Sequence, residues 1–311
     1  MTLSRSLLGT PLGTDLTTRI GNTPLVPVTG LAGVPESVTV LGKAEWLNPG
    51  GSVKDRAAWG IVQAAQAGGA LAHGRVLLDA TSGNTGIAYA WIGAALGFPV
   101  TLCVPANVSA GRKRLLASLG AELVLTDAME GTDGAIREAR RLASVHPKRY
   151  HYADQYANPA NWRAHYLGTA REIWAQTEGR VTHLVAGIGT SGTLVGTARR
   201  LRELNPSLIA IAVQPDSPLH VLEGLKHLPS AMTPPIYDPS AHHRTFEVAS
   251  DEAIAMVRRQ ARRGLLLGWS AGAALVAAER LARGLTRAVV VAILPDGAER
   301  YLGEPSWREG A

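Results

Sequence analysis

Arg75-Val76-Leu77-Leu78-Asp79-Ala80-Thr81-Ser82-Gly83-Asn84-Thr85-Gly86 runs directly into Ile87-Ala88-Tyr89-Ala90-Trp91-Ile92-Gly93-Ala94-Ala95-Leu96, and this junction decides the fold. The apolar run from Arg75 to Asp79 predicts a strand, and the Ala-rich stretch from Asn84 to Leu96 predicts a helix. The alternation continues outward. Strands are predicted at Pro99 to Val104 and Glu122 to Leu125, each followed by a helix, at Ser109 to Leu119 and at Gly131 to Ala143. A second series follows Tyr150: a helix near Asn161 to Gln176, a strand at Thr182 to Ala186, a helix at Gly192 to Leu204 and a strand at Leu208 to Val213. Another helix, strand and helix close the chain. Parallel strands joined by crossover helices have this pattern. The expected fold class is α/β with two lobes, each an open, mostly parallel twisted sheet flanked by helices. The polar, aromatic segment Tyr150 to Pro159 is the expected crossing, which puts one lobe at residues 40–150 and the other at 1–39 with 151–311. Pro215 to His243, rich in Pro, His and Ser, is a long irregular insertion of the kind that is often functional.

At 311 residues the chain has ample material for two such lobes. Hydrophobic residues make up 46% and charged residues 18%, a balance that argues against extensive disorder. The formal charge of +6 is spread along helical stretches such as Arg137, Arg140 and Arg141. With two Phe and no basic run interleaved with aromatics, a nucleic-acid footprint is not expected. The single cysteine, Cys103, sits in an apolar strand, so no disulfide framework or thiolate metal cage can form within one chain. The N-terminus lacks a basic segment followed by an apolar one, and no run of about 18 apolar residues occurs. Neither secretion nor a membrane partner is expected, and a cytoplasmic location is.

Three motifs invite other readings. Gly187-Ile188-Gly189-Thr190-Ser191-Gly192 follows an apolar strand and opens a helix, as a dinucleotide-binding turn does. The acidic residue such a site needs near the end of the next strand is missing, since that strand ends Val213-Gln214-Pro215. What survives is a helix N-terminus able to bind a phosphate, with hydroxyls from Thr190, Ser191 and Thr193. Gly268-Trp269-Ser270-Ala271-Gly272 fits the hydrolase nucleophile elbow, but that triad needs a histidine downstream of its serine. The last histidine here is His243, so Ser270 becomes a helix N-cap, a cofactor ligand, or both. Thr81 to Gly86 gathers four hydroxyl or amide side chains and two glycines, suited to a carboxylate or phosphate. No metal spacing emerges from the nine histidines, which are expected in surface or packing roles. There is no phosphate-binding loop of the G-x-x-x-x-G-K type.

Asn48-Pro49-Gly50-Gly51-Ser52-Val53-Lys54-Asp55-Arg56 sets a lysine at the start of a predicted helix. Together with Thr81 to Gly86, Gly189 to Thr193 and Ser270-Ala271-Gly272-Ala273, this segment resembles the fold type II, tryptophan-synthase-β-like family of pyridoxal-phosphate enzymes, its cysteine synthase branch in particular. The resemblance runs in order from Ile20-Gly21-Asn22-Thr23-Pro24-Leu25 to Glu299-Arg300-Tyr301-Leu302. It implies pyridoxal 5'-phosphate as cofactor, held by Lys54 as a Schiff base. It further implies that Asn84 contacts the ring hydroxyl, that Gly189, Thr190, Ser191, Gly192 and Thr193 hold the phosphate, and that Ser270 meets the pyridine nitrogen. Thr81, Ser82, Thr85 and Gln155 then grip the carboxylate of a small amino-acid substrate, and the family forms homodimers. Lys54, once displaced by the substrate amine, is free to act as the α-proton base. A neutral Ser270 leaves the pyridine nitrogen largely unprotonated, which favours β-elimination and replacement over transamination.

The implied reaction is β-replacement, making L-cysteine or S-sulfocysteine from O-acetylserine or O-phosphoserine with sulfide or thiosulfate. Glu223-Gly224-Leu225-Lys226-His227-Leu228-Pro229 is similar to the B-type isozymes, and Ser191 points the same way. Lys226 is therefore expected to bind an anion, with a plain surface lysine as the alternative. Homocysteine as nucleophile, threonine dehydration and a non-catalytic cofactor-bound paralogue remain as other readings. Trp269 departs from the family pattern, placing a large ring either beside the cofactor site or against the adjacent lobe.

Overall fold

The structure is a computed structural model, and it describes residues 15–303 and Trp307. The remaining residues of the expected second lobe, 1–14, 304–306 and 308–311, lie outside the described residues.

The smaller sheet grows from the segment quoted first. Strand β3 (Val76–Ala80) and helix α2 (Asn84–Leu96) form there, and β3 is buried along almost its whole length. A strand covered on both faces reads as a continuous apolar run, which is what Val76-Leu77-Leu78 provides. Gly97, at φ 76°, ends α2 in the left-handed conformation that glycine adopts without penalty. Then come β4 (Val100–Pro105), α3 (Ala110–Ser118), β5 (Glu122–Thr126), α4 (Gly131–Val145) and β6 (Tyr150–Tyr152). The four strands are all parallel, in the order β5-β4-β3-β6.

The larger sheet uses both ends of the chain. Its strands are β1 (Leu25–Pro27), β2 (Val38–Ala44), β7 (His183–Gly187), β8 (Ile209–Pro215), β9 (Arg244–Val248) and β10 (Ala288–Leu294). They lie in the order β1-β2-β10-β7-β8-β9, antiparallel at β1 and parallel elsewhere. Helices α1 (Lys54–Ala67), α5 (Pro159–Ala164), α6 (Ala170–Gln176), α7 (Gly192–Leu204), α8 (Ser250–Ala261) and α9 (Trp269–Ala282) complete the molecule. Because β2 pairs with β10 through Ala44 and β6 pairs with β3 through Tyr152, the sheets change hands after those residues. The boundaries expected at 40 and 150 fall inside β2 and at the first residue of β6. The single helix expected at Asn161 to Gln176 is α5 and α6 joined by a π-helical turn, His165–Thr169, a distortion frequent at functional sites.

One polar cluster ties α1 to the larger lobe. Arg56 donates to Glu45 from Nε (2.7 Å) and Nη2 (2.9 Å), and to Glu172 on α6 from Nη1 and Nη2 (both 2.7 Å). Lys43 of β2 donates to the same Glu172 at 2.7 Å. Thr23 closes the ring, its hydroxyl donating to Glu45 at 2.8 Å. Two cations and two carboxylates balance, so burial leaves no net charge. Removing one member of such a pair strands the others.

Arg56→Met is therefore expected to cost about 3–5 kcal/mol, read as a lower urea midpoint at unchanged slope; unchanged stability contradicts the role. Burial alone pushes the Glu172 carboxyl up, but the bonds and charge of Arg56, with Lys43, outweigh it and hold the group at about 2. Its contribution to stability is present above about 4.5 and is lost as the pH falls toward 2. Glu172→Gln should flatten the pH dependence of unfolding across that window.

Candidate active site

Parallel sheets gather their loops at the carboxyl ends of the strands, and ligands bind in the crevice there. Here both sheets open onto one cleft of about 460 Å³, lined by Lys54, Thr81 to Thr85, Gln155, Gly189, Thr190 and Glu223 to His227, among others. The long segment between β8 and β9 supplies much of one wall. Among the described residues this segment holds one short helical turn, Pro239–Ala241, and no strand. The insertion expected at Pro215 to His243 thus stands at the cleft.

Lys54 is the first residue of α1. The turn before it is fixed on two sides: Val53 N–H donates to the carbonyl of Pro295 beyond β10 (2.8 Å), and Gly50 N–H donates to Asp55 (2.5 Å). Trp91 Nε1 holds the other Asp55 oxygen at 3.1 Å. Burial pushes the Lys54 amine below the usual lysine range, with the Asp296 carboxylate working against that shift. A desolvated amine of this kind reaches its nucleophilic, neutral form more readily than a surface lysine.

Across the cleft, the Thr81 hydroxyl accepts from the N–H groups of Gly83 (3.1 Å) and Gly86 (3.2 Å), so it frames its own loop. Thr85 Oγ1 donates to Gln155 Oε1 at 2.7 Å, and Gln155 Nε2 donates to the carbonyl of Ala80 at 2.7 Å. The backbone N–H of Gln155 donates to Asp79 (3.1 Å), whose carboxyl burial pushes up to about 7. Ser82 lines the cleft beside them. Asn84 donates from Nδ2 to Asp296 at 2.7 Å, while its Oδ1 is buried with no partner among the described residues.

The turn from β7 into α7 has the geometry of an anion cup. The first N–H groups of any helix lack helical acceptors. Ser191 stands at φ 71°, a strained setting for serine of the kind that clusters at ligand sites. Its hydroxyl is buried and unpartnered. Gly189 and Thr190 line the cleft, and a Cβ on Gly189 would overlap the carbonyl oxygen of Gly224. Asn161 Nδ2 holds Thr190 Oγ1 at 3.1 Å. Thr193 Oγ1 meets His165 Nε2 at 3.2 Å, and the other ring nitrogen meets Thr169 Oγ1 at 2.9 Å. Burial keeps His165 neutral, its pKa pushed down to about 3.

Ser270 is not the N-cap of α9. Gly268 holds that position, because the helix begins at Trp269. Ser270 is buried and is not among the residues that line the cleft; Gly268, two residues before it, donates its N–H to the Asp296 carbonyl at 3.1 Å. Trp269 turns away, stacking on Trp307 (5.2 Å between centroids) and packing against Tyr301 (5.6 Å). Of its two sequence readings, packing is the observed one. Lys226 lines the cleft but is already paired, 3.0 Å from Asp133, with its amine 5.2 Å from the centroid of the Tyr156 ring.

Sequence reasoning missed His165, placed among surface or packing histidines, and missed Asp296 altogether. The signal for His165 was faint: a threonine four residues on, which a helix stacks beside it. For Asp296 it was stronger, a carboxylate just past the end of an apolar strand. No group of three or more His, Cys, Asp or Glu among the described residues is arranged to hold a metal ion, and none of the described helices is long and apolar enough to cross a membrane.

The chemistry fits pyridoxal phosphate: an amine whose charged form burial disfavours, a helix N-terminus for the phosphate, and two buried polar atoms, Asn84 Oδ1 and Ser191 Oγ, that have no partner among the described residues. The family model of pyridoxal-phosphate dependent enzymes matches residues 16–296. A cysteine synthase of Aquifex aeolicus is 50% identical over 290 residues, covering 91% of this chain and 89% of the relative. The cysteine synthase B of Pseudomonas aeruginosa is 42% identical over 284 residues, covering 91% and 94%. The solved cysteine synthase of Entamoeba histolytica superposes with a TM-score of 0.90 at 32% identity, covering 99% of this chain and 94% of that one. The chain belongs to the pyridoxal-phosphate dependent enzymes of fold type II and, within them, to the cysteine synthase family.

Proposed function

We propose that this enzyme carries out β-replacement on an activated serine, O-acetylserine or O-phosphoserine, and that its sulfur donor is sulfide or thiosulfate. The observation that carries the reading is one cleft in which a desolvated lysine, an anion cup and a carboxylate-sized cluster of donors converge. Lys54 holds the cofactor through its amine. The N–H groups opening α7, with Ser191 and Thr193, hold its phosphate, and Asn84 and Ser270 hold its ring. When bound, the cofactor supplies an electron-withdrawing ring that makes the α-proton of the substrate acidic.

The chain's own residues do the rest. The N–H groups opening α2, with Ser82, Thr85 and Gln155, fix the substrate carboxylate and thereby aim Cα at Lys54. Lys54 Nζ then takes the proton from Cα, and burial, by lowering its pKa, favours the neutral form that can accept a proton. The leaving group departs from Cβ with its bonding pair, the sulfur nucleophile bonds to the same carbon through its own pair, and Lys54 Nζ returns the proton to Cα. Lys226 faces the cleft close enough to meet an anionic donor or leaving group, on condition that Asp133 yields it. We further infer a cytoplasmic homodimer, as the sequence resemblance implies; light scattering on the purified enzyme reports the assembly.

Lys54→Ala should lower cysteine formation from O-acetylserine and sulfide by about 10²–10⁴-fold or more; retention of near-normal turnover removes Lys54 from the chemistry. Gln155→Ala should raise KM for the amino-acid substrate far more than it lowers kcat, since it acts on carboxylate binding. Lys226→Ala should raise KM for thiosulfate or O-phosphoserine about tenfold while sulfide kinetics stay as they are. If all three substrates behave as in the parent enzyme, Lys226 has no part in anion binding.

A further inference from the structure

Among the described residues that line the cleft, Lys54 and Lys226 carry ammonium groups, and Glu130, Asp133 and Glu223 carry carboxylates. Each carboxylate has its own cation. Glu223 is held by Arg112 (2.9 Å from Nη2), Glu130 by Arg137 (3.0 Å) and Asp133 by Lys226 (3.0 Å). The first two pairs draw their cation from outside the cleft lining, whereas the third occupies one of the cleft's own lysines. Its two ends belong to different lobes. The Lys226 N–H donates to the carbonyl of Ile188 (2.8 Å), beside the turn that opens α7, and Asp133 stands in the first turn of α4. Thr132, next to Asp133, donates from its hydroxyl to Ser82 Oγ at 3.3 Å. The pair therefore sits at the edge of the place proposed for the amino-acid substrate.

The surroundings favour an anion at this point. Lys226 supplies a full positive charge and is mostly enclosed, so salt screens it less than it would a surface lysine. The N-terminus of α4, a helix of 15 residues, adds a partial positive charge. The Tyr156 ring, its centroid 5.2 Å from the same ammonium, helps to hold that group without neutralising it. The anion in place is the chain's own: Asp133 Oδ1 accepts from Lys226, and Oδ2 accepts from the N–H of Met232 at 3.2 Å. A dianion that came within hydrogen-bonding reach of Lys226 would have to share one ammonium with this carboxylate. Like charges brought so close in a partly enclosed site repel strongly. A mere tie between α4 and the loop after β8 needs no charge, since an amide oxygen would accept from Met232 as well.

We propose that Asp133 is a specificity-determining residue: its carboxylate fills the anion place on Lys226 and weights the enzyme against a dianionic sulfur donor such as thiosulfate. A dianion binds there only by displacing the carboxylate or by sharing the ammonium with it. Sulfide, small and at most singly charged, has no need of that place. The inference rests on the reading of Lys226 as an anion contact given above, and it concerns binding before any bond is made. An enzyme that bound thiosulfate but released no product would leave it standing.

Isothermal calorimetry on the cofactor-loaded enzyme, with thiosulfate as the added ligand and no amino acid present, reads the donor site without requiring the reaction. Asp133→Asn keeps the shape and the acceptor for Met232 but removes the charge. The expected result is a thiosulfate dissociation constant tighter by about tenfold or more than in the parent enzyme. In a Lys226→Ala background the same substitution should change it by less than about threefold, because without the ammonium nothing draws the dianion to that place. An unchanged or weaker affinity in Asp133→Asn overturns the proposal. So does a gain of equal size with and without Lys226, which is what removing any negative charge from the cleft would give. Cysteine formation from O-acetylserine and sulfide, followed on the same preparations, tests the β-replacement separately: its failure would sink that reaction and leave the calorimetry to decide on Asp133. Should Asp133→Asn fail to fold, Asp133→Ser, which also lacks the charge, is read by the same criteria.

Discussion

Arg56 reaches from α1 into the larger lobe and meets two carboxylates there, Glu45 and Glu172, with Lys43 balancing the charge. Everything at the active site hangs from this contact, because Lys54 is two residues away on the same first turn of α1. The apolar face of α1, through Ala58, Ile61 and Val62, packs in the core of the smaller lobe. Val53, just before it, packs in the core of the larger one. The helix is thus shared, and the lysine it begins with is held at the seam. The cluster also gives physical meaning to the Gly21-Asn22-Thr23-Pro24 motif far upstream: Asn22 N–H donates to Glu172 and Thr23 donates to Glu45.

Around that anchor the parallel sheets do what such sheets do, aiming strand ends at a common crevice. In the proposed function each wall contributes one chemistry: α1 the amine, α2 the groups for the substrate carboxylate, α7 those for the phosphate. The two ion pairs that cross the cleft, Arg112 with Glu223 and Lys226 with Asp133, join helices of the smaller lobe to the loop between β8 and β9. In each the cation is mostly enclosed, 11% exposed, and the carboxylate more open, at 28% and 29%.

Much of this was legible in the chain. The strand-turn-helix at Arg75 to Leu96 fell where the hydrophobic pattern put it, because β3 is buried on both faces and its residues could not be otherwise. Of the three glycine-rich turns, Thr81 to Thr85 and Gly189 to Thr190 line the cleft, whereas Gly268 to Gly272 does not. What stayed hidden was pairing over distance. No local pattern says that Lys43, Glu45, Arg56 and Glu172 will share one pocket, or that Asn84 will meet Asp296 across 212 residues. Trp269 stayed open between two readings for the same reason: Tyr301 and Trp307, far along the chain, decide that the ring packs. The helix expected over Asn161 to Gln176 was interrupted by a π-helical turn whose function, setting His165 beside Thr193, is again a matter of tertiary contact.

Absorbance titration of the purified, cofactor-loaded enzyme probes the central claim most directly, with O-acetylserine added first and sulfide second. The expected result is a resting band that changes on addition of O-acetylserine and returns when sulfide is supplied, with cysteine released in step. A protein that takes up no coloured cofactor, or one whose band O-acetylserine leaves unmoved, would contradict it.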